Sequence, residues 1–206
     1  MTRFAAMKSG WLLLVFSALS CFSFSHAAPP KADTSAALAN AEALLRGRFD
    51  NREQVDKDPH DNGQALAHVT VAIEPAPQKN WSLWHVHVQT DAESSFDQTW
   101  AMQARVEYDG SGSLVPNYQL HQTAGPAAAT FDPQGWLSLE ACALRGKFEK
   151  DKLTGISEGE PCVAVSMSVG ARRALLPVGF TREGEWLHLD MNLRNVRTRI
   201  DAKRVP

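Results

Sequence analysis

Polar and apolar residues alternate one by one through run after run of this chain. In Leu83–Gln89, Leu83, His85, His87 and Gln89 fall on one face and Trp84, Val86 and Val88 on the other. Thr99–Tyr108 repeats the habit, with Trp100, Met102, Ala104, Val106 and Tyr108 opposite Gln103, Arg105 and Glu107. A period of two marks a half-buried strand, because successive side chains leave a pleated backbone on opposite sides. Ala65–Glu74, Leu114–Gln122, Gly135–Leu144, Cys162–Val169, Ala174–Arg182, Trp186–Asn192 and Asn195–Ile200 read as further strands, and 147–149 with 153–155 as a short hairpin. Pro75 and Pro77 stop the first of these, since proline cannot donate to a ladder, and Asp109-Gly110-Ser111-Gly112 is a turn. Pro116 interrupts its strand or places it at an edge.

Roughly eight to ten short strands with tight connections predict sequential antiparallel pairing. Alternation alone leaves sandwich and barrel equally open. One helix precedes the strands. Ser35–Arg46 is rich in Ala and Leu, Leu38, Ala41, Leu45 and Phe49 recur at helical spacing, and Gly47 suits the turn after the last helical residue.

The first 27 residues read as a secretory leader. Arg3 and Lys8 form a basic start, an apolar run spans Trp11 to Leu19, and Ser25-His26-Ala27 places small residues where a signal peptidase cuts. The expected organisation is a signal peptide at 1–27, a spacer at 28–34 and a single β-barrel domain at 35–206. The apolar run is short for a membrane span, so the mature chain is expected to lack a transmembrane segment and to reside in the periplasm or outside the cell. Lipid anchoring through Cys21, which follows Ala18-Leu19-Ser20, is the less favoured alternative. Cleavage leaves Cys142 and Cys162, which in an oxidising compartment have one internal pairing open to them. Two buried thiols are the bland alternative, and no histidine lies near either for a metal.

The formal net charge of −2 becomes −4 without Arg3 and Lys8, so nothing argues for nucleic acid. Arg194, Arg197, Arg199, Lys203 and Arg204 make the end of the chain basic, which a solvated edge explains. There is no Gly-x-Ser-x-Gly elbow, no His-Glu-x-x-His and no phosphate-cradling glycine run, so few features ask for an enzyme and no catalytic residue is expected. His85 and His87, with His68 on a possible neighbouring strand, suit a solvated strand face better than zinc, and no metal is expected. Trp84, Trp100, Trp136 and Trp186 read as core walls, while Trp81 follows a turn-like Lys79-Asn80.

Gln103, Arg105 and Glu107 have two readings. Facing out, they are a solvated surface. Facing in, Arg105 meets an acidic group of a ligand through its planar donor fork. Asn51, in the polar cluster Asp50-Asn51-Arg52 with Gln54, either satisfies open backbone groups where the helix meets the barrel or contacts a ligand.

Several of these segments resemble the CpcT/CpeT family of chromophore lyases. Leu44-Leu45-Arg46-Gly47-Arg48-Phe49-Asp50-Asn51-Arg52-Glu53-Gln54 is similar to the family's helix leading into Gly-x-Phe-x-Asn-x-x-Gln. Phe96-Asp97-Gln98 before Gln103-Ala104-Arg105-Val106 is similar to its Gln-containing stretch before an Arg-x-Arg-Val-Tyr strand. Asn117-Tyr118-Gln119-Leu120 resembles its next strand, and Cys142, Gly155 and Cys162 its cysteine hairpin region. The resemblance spans 44–190. It implies an all-β, lipocalin-like closed antiparallel barrel (a calyx) with a short N-terminal helix, a central pocket and often a homodimer. Members attach a linear tetrapyrrole (bilin) to a client protein's cysteine.

The chain departs from that pattern in its export leader, in Gln103 where the family has arginine, and in an end without the Gly-rich, Trp-Gly finish. The expectation is therefore a periplasmic small-molecule-binding or accessory protein for a hydrophobic or tetrapyrrole-like ligand. Gln103, Arg105, Tyr118 and Asn51 are its candidate contacts. A bilin-attaching lyase acting with a client protein, and a structural envelope protein without a ligand, are the alternatives.

Overall fold

The computed structural model describes residues 34–61, 64–90, 95–107, 112–118, 131–159, 161–162, 176–193 and 196–206. The expected leader, the spacer up to residue 33, the turn at 109–111, the strand after Cys162 and the stretch beyond Tyr118 lie outside them. Residues 32–206 form one compact unit.

In chain order the elements are α1 (Thr34–Leu45), β1 (Gly47–Asp50), α2 (Arg52–Lys57), β2 (His60–Asp61), β3 (Gln64–Ala65), β4 (His68–Pro75), β5 (Trp81–Gln89), β6 (Ser95–Val106) and β7 (Gly112–Tyr118). They continue with β8 (Leu137–Ser138), β9 (Leu144–Phe148), β10 (Lys152–Ser157), β11 (Pro177–Glu183), β12 (Trp186–Leu193) and β13 (Val196–Val205). Among the described residues, ten strands close a ring in the order β1-β4-β5-β6-β7-β9-β10-β11-β12-β13, antiparallel at each junction, with β13 returning to β1. The chain is thus an all-β, lipocalin-like antiparallel barrel, with one long helix among the described residues. Closure leaves these ten strands without a bare edge, the reason a run of short amphipathic strands favours it.

The alternation decides what faces in. On β4, Val69, Val71 and Ile73 are buried while His68, Thr70 and Ala72 are half-exposed; on β5, Trp84, Val86 and Val88 are buried between half-exposed Leu83, His85 and His87. The inward side chains fill the barrel: Trp84, Trp100, Phe49, Met102, Leu189 and Ile200 are each below 2% exposed. Trp84 packs edge-on against Phe180 across the interior, ring centroids 5.7 Å apart. Each such side chain contributes about 1.5–3 kcal/mol on burial.

The helix α1 lies against β6, β9, β10 and β11, burying Ala41 and Leu45, and Asn40 Nδ2 donates to Lys150 O at 3.3 Å. Gly47 opens β1 with φ +145°, a backbone position that favours glycine, and a Cβ there would meet Arg204 Nε at 3.2 Å. Arg204 reaches over this glycine to donate to Arg46 O at 2.6 Å.

Three local expectations change. Phe49, grouped with the first helix by its spacing, lies instead on β1, and the polar cluster runs from Asp50 at the end of β1 into a short second helix, α2. Gly135–Leu144 is not a continuous strand: Pro133–Gly135 and Glu140–Cys142 are 3-10 turns around the two-residue β8, so Cys142 sits on a turn. Proline and glycine at its start, and Leu139 packed fully into the core, bend the segment. Pro116 stays inside β7 because it falls between the stretches that pair with β8 and β9, where no ladder donor is needed on that side. Cys142 and Cys162 form the expected disulfide.

Candidate functional site

A depression lies on the outer wall, across β1, β4, β5 and β6 and beside the end of β13. It is an open groove of about 640 Å³. Strand register explains it. One row of outward residues runs Thr99–His85–Ala72–Arg48–Val205 from β6 to β13, and the next runs Asp97–His87–Thr70–Asp50–Lys203. β4 places the small Ala72 and Thr70 in the middle, while β1 and β5 raise Arg48, Asp50, His85 and His87 on either side. With neighbouring strands about 4.8 Å apart, the two walls stand about 10 Å from one another.

The polar side chains are bracketed by one another. His87 Nδ1 meets Asp97 Oδ1 at 2.8 Å, and His85 Nδ1 meets Thr99 Oγ1 at 3.0 Å. His68 Nε2 meets Asp50 Oδ1 at 2.8 Å, and the same oxygen accepts the backbone N–H of Arg52 at 2.7 Å. Each histidine has its own neighbour, and no three His, Cys, Asp or Glu side chains among the described residues are grouped to hold a metal.

The residues singled out from the sequence do not gather here. Gln103 and Arg105 face outward further along β6, so the solvated alternative of the two left open is the observed one. Arg105 donates to Gln103 Oε1 at 2.7 and 3.0 Å and pairs with Glu140 Oε1 at 3.0 Å. Asn51 is fully buried and wholly engaged: its Oδ1 accepts from Val69 N at 2.7 Å and its Nδ2 donates to Ala67 O at 3.0 Å. Gln54 beside it donates to Arg199 O at 3.0 Å and accepts from Asp201 N at 2.9 Å. The pair ties α2 to β4 and β13. Tyr118 closes β7 opposite Trp100, and its side chain lies outside the described residues.

The tryptophans divide. Trp84 and Trp100 are interior, whereas Trp136 packs with Phe131 and Trp81 in a small cluster away from the main core. Trp186 faces outward and stacks on His188, centroids 6.1 Å apart. Reasoning from sequence missed Arg48, Thr70, Asp97 and Thr99. Their outward positions follow from alternation, but their convergence depends on strand neighbours that a single chain pattern does not reveal.

Arg182 and Asp201 are among the charged groups elsewhere that are held away from their ordinary pKa. Burial, and then the nearby Arg204 charge, lower that of Arg182, which faces inward at 2% exposure with its guanidinium carbon 5.1 Å from the Phe49 ring centroid. Arg182 donates to Gly184 O and Trp186 O. Burial alone would raise Asp201, but hydrogen bonds from His188 and Arg199 outweigh it and the net shift is downward.

No protein-family model, curated protein or solved structure matches the chain.

Proposed function

We propose that the chain is an exported binding or accessory protein that engages its ligand on the outer wall of a filled barrel rather than inside it. The observation that carries this is the pairing of an interior packed with side chains below 2% exposed with an open groove on the opposite side of the same strands. Useful sites combine apolar surface with a few fixed polar groups, and the groove offers both. Export rests on the basic and apolar leader with its small-residue cleavage site, and on the disulfide, which persists in oxidising compartments. The resemblance to CpcT/CpeT proteins supports an accessory role, with a bilin or another acid-bearing hydrophobic molecule as ligand. Bilin attachment to a client protein is the enzymatic form of that reading.

The packed interior also favours a second reading, an envelope protein without a ligand. Two-dimensional NMR of the labelled, oxidised mature chain separates them, with biliverdin, haem, a fatty acid and an aromatic carboxylate as probes. Outer-wall binding moves the amide signals of Arg48, Thr70, His85 and His87 saturably and leaves the Trp84 and Trp100 indole signals in place. Saturable movement of those indoles would place the ligand inside and overturn the proposal. Silence across the whole panel would favour the envelope reading.

A further inference from the structure

Resting on the outer-wall reading, we infer that the groove is an oxyanion site, in which Arg48 takes a carboxylate or phosphate group and Ala72 and Val205 support the apolar part of the same ligand. An unpaired guanidinium carries this. Two carboxylate side chains line the groove, and each meets its own histidine: Asp50 meets His68 and Asp97 meets His87, both at 2.8 Å. Lys203, next to Asp50 on β13, is directed to Glu53 at 3.6 Å and to the Trp186 ring at 5.7 Å. Arg48 is exposed and, among the described residues, its guanidinium has neither an ion pair nor a hydrogen bond. Its cross-strand partners are Ala72 and Val205, neither of which has a charge or a side-chain acceptor.

A guanidinium presents a planar fork of N–H donors that matches two oxygens of a carboxylate or phosphate. Arg48 is thus a fixed-charge donor set at the wall of a groove whose acids are already engaged. The histidines add a second element. His85 and His87 each use Nδ1 on their own bracket, which leaves Nε2 of both without a protein partner among the described residues. With Nδ1–H donated to the Asp97 carboxylate, His87 Nε2 is an acceptor for a ligand hydroxyl or phosphate O–H. The Thr70 hydroxyl lies between His87 and Asp50 in the same row. The favoured ligand is therefore a small acid with an apolar body and at least one O–H donor.

Isothermal titration of the oxidised mature chain tests this, with phenyl phosphate, benzoate, inorganic phosphate and benzyl alcohol as probes. Wild type is expected to bind phenyl phosphate or benzoate saturably at one site and not to bind the neutral alcohol. A preference for phenyl phosphate identifies a phosphate source, and a preference for benzoate a carboxylate source. Arg48→Ala is expected to weaken binding about fivefold, and Arg48→Lys to recover part of it, since the charge-assisted pair forms at an exposed guanidinium in an open groove. Ala72→Leu, which fills the floor without changing charge, is expected to weaken binding comparably. Near-ultraviolet circular dichroism checks that each variant keeps the wild-type fold, and Arg48→Gln replaces any that does not. No saturable binding of any anion, or binding indifferent to Arg48, overturns the oxyanion assignment. Outer-wall NMR shifts that persist in Arg48→Ala would sink that assignment alone, whereas shifts confined to the Trp84 and Trp100 indoles would sink the outer-wall reading with it.

Discussion

The Asn51 side chain accepts the backbone N–H of Val69 at 2.7 Å and, through its amide nitrogen, donates to Ala67 O at 3.0 Å. One buried amide thereby stands in for a neighbouring strand just where β1 ends and β4 begins. Asn51→Ala leaves both backbone groups without that partner and is expected to lower unfolding free energy by about 2–3 kcal/mol. Asn51→Asp keeps the acceptor, loses the donor and introduces a buried charge, so it is expected to cost at least as much. Urea unfolding measures both, and a loss of ligand binding with unchanged stability would instead make Asn51 a contact residue.

Arg182 tests charge against volume. It lies inside the barrel beside Phe49, with carbonyl oxygens rather than a carboxylate as its hydrogen-bond acceptors. Replacing it with methionine keeps the packing and removes a desolvated charge, so Arg182→Met is expected to stay within about 1 kcal/mol of wild type. Arg182→Ala leaves a void and is expected to cost about 3 kcal/mol. Equal losses in the two, read from urea midpoints, would show that the guanidinium itself holds the Gly184–Trp186 turn.

Acid stability depends in part on Asp201. Its folded-state pKa is lowered, so its contribution is fully present above the unfolded aspartate value and is lost as pH falls through the folded value. Asp201→Asn is expected to be less stable than wild type near neutrality, by under about 1 kcal/mol because the carboxylate is a third exposed, and to converge with it in strong acid. Urea midpoints across the acid limb check this, and a constant difference at all pH values would contradict it.

The disulfide joins the 3-10 turn before β9 to the segment after β10. Replacing both cysteines with serine opens a loop of 20-residue separation and is expected to cost about 3 kcal/mol. The same loss should appear in wild type on reduction. An unchanged midpoint after complete reduction would show that β9–β10 pairing alone holds this region.

Much of the wall was legible in the chain. On β5, alternation placed Trp84, Val86 and Val88 on the face opposite His85 and His87, and the structure puts the tryptophan and valines inside. On β6 alternation put Arg105 opposite the apolar face but left open whether it faced out or in, and its partner Glu140, 35 residues away, was not legible. The two-residue strand β8 and the turn bearing Cys142 escaped because short irregular segments take their shape from what they pack against. Arg48 was visible only as one letter in a helix-to-strand junction.

The chain alone determined which side chains share a face, where its long helix lies and which cysteines could pair, because backbone pleat, helix propensity and composition are local properties. Only the tertiary structure decided that the strands close into a filled barrel and that Arg48 stands beside Ala72 and Val205 with His85 beyond. Those neighbours belong to segments far apart in sequence, and their register is set by simultaneous packing of all inward faces. A slip of one residue would turn an entire strand inside out.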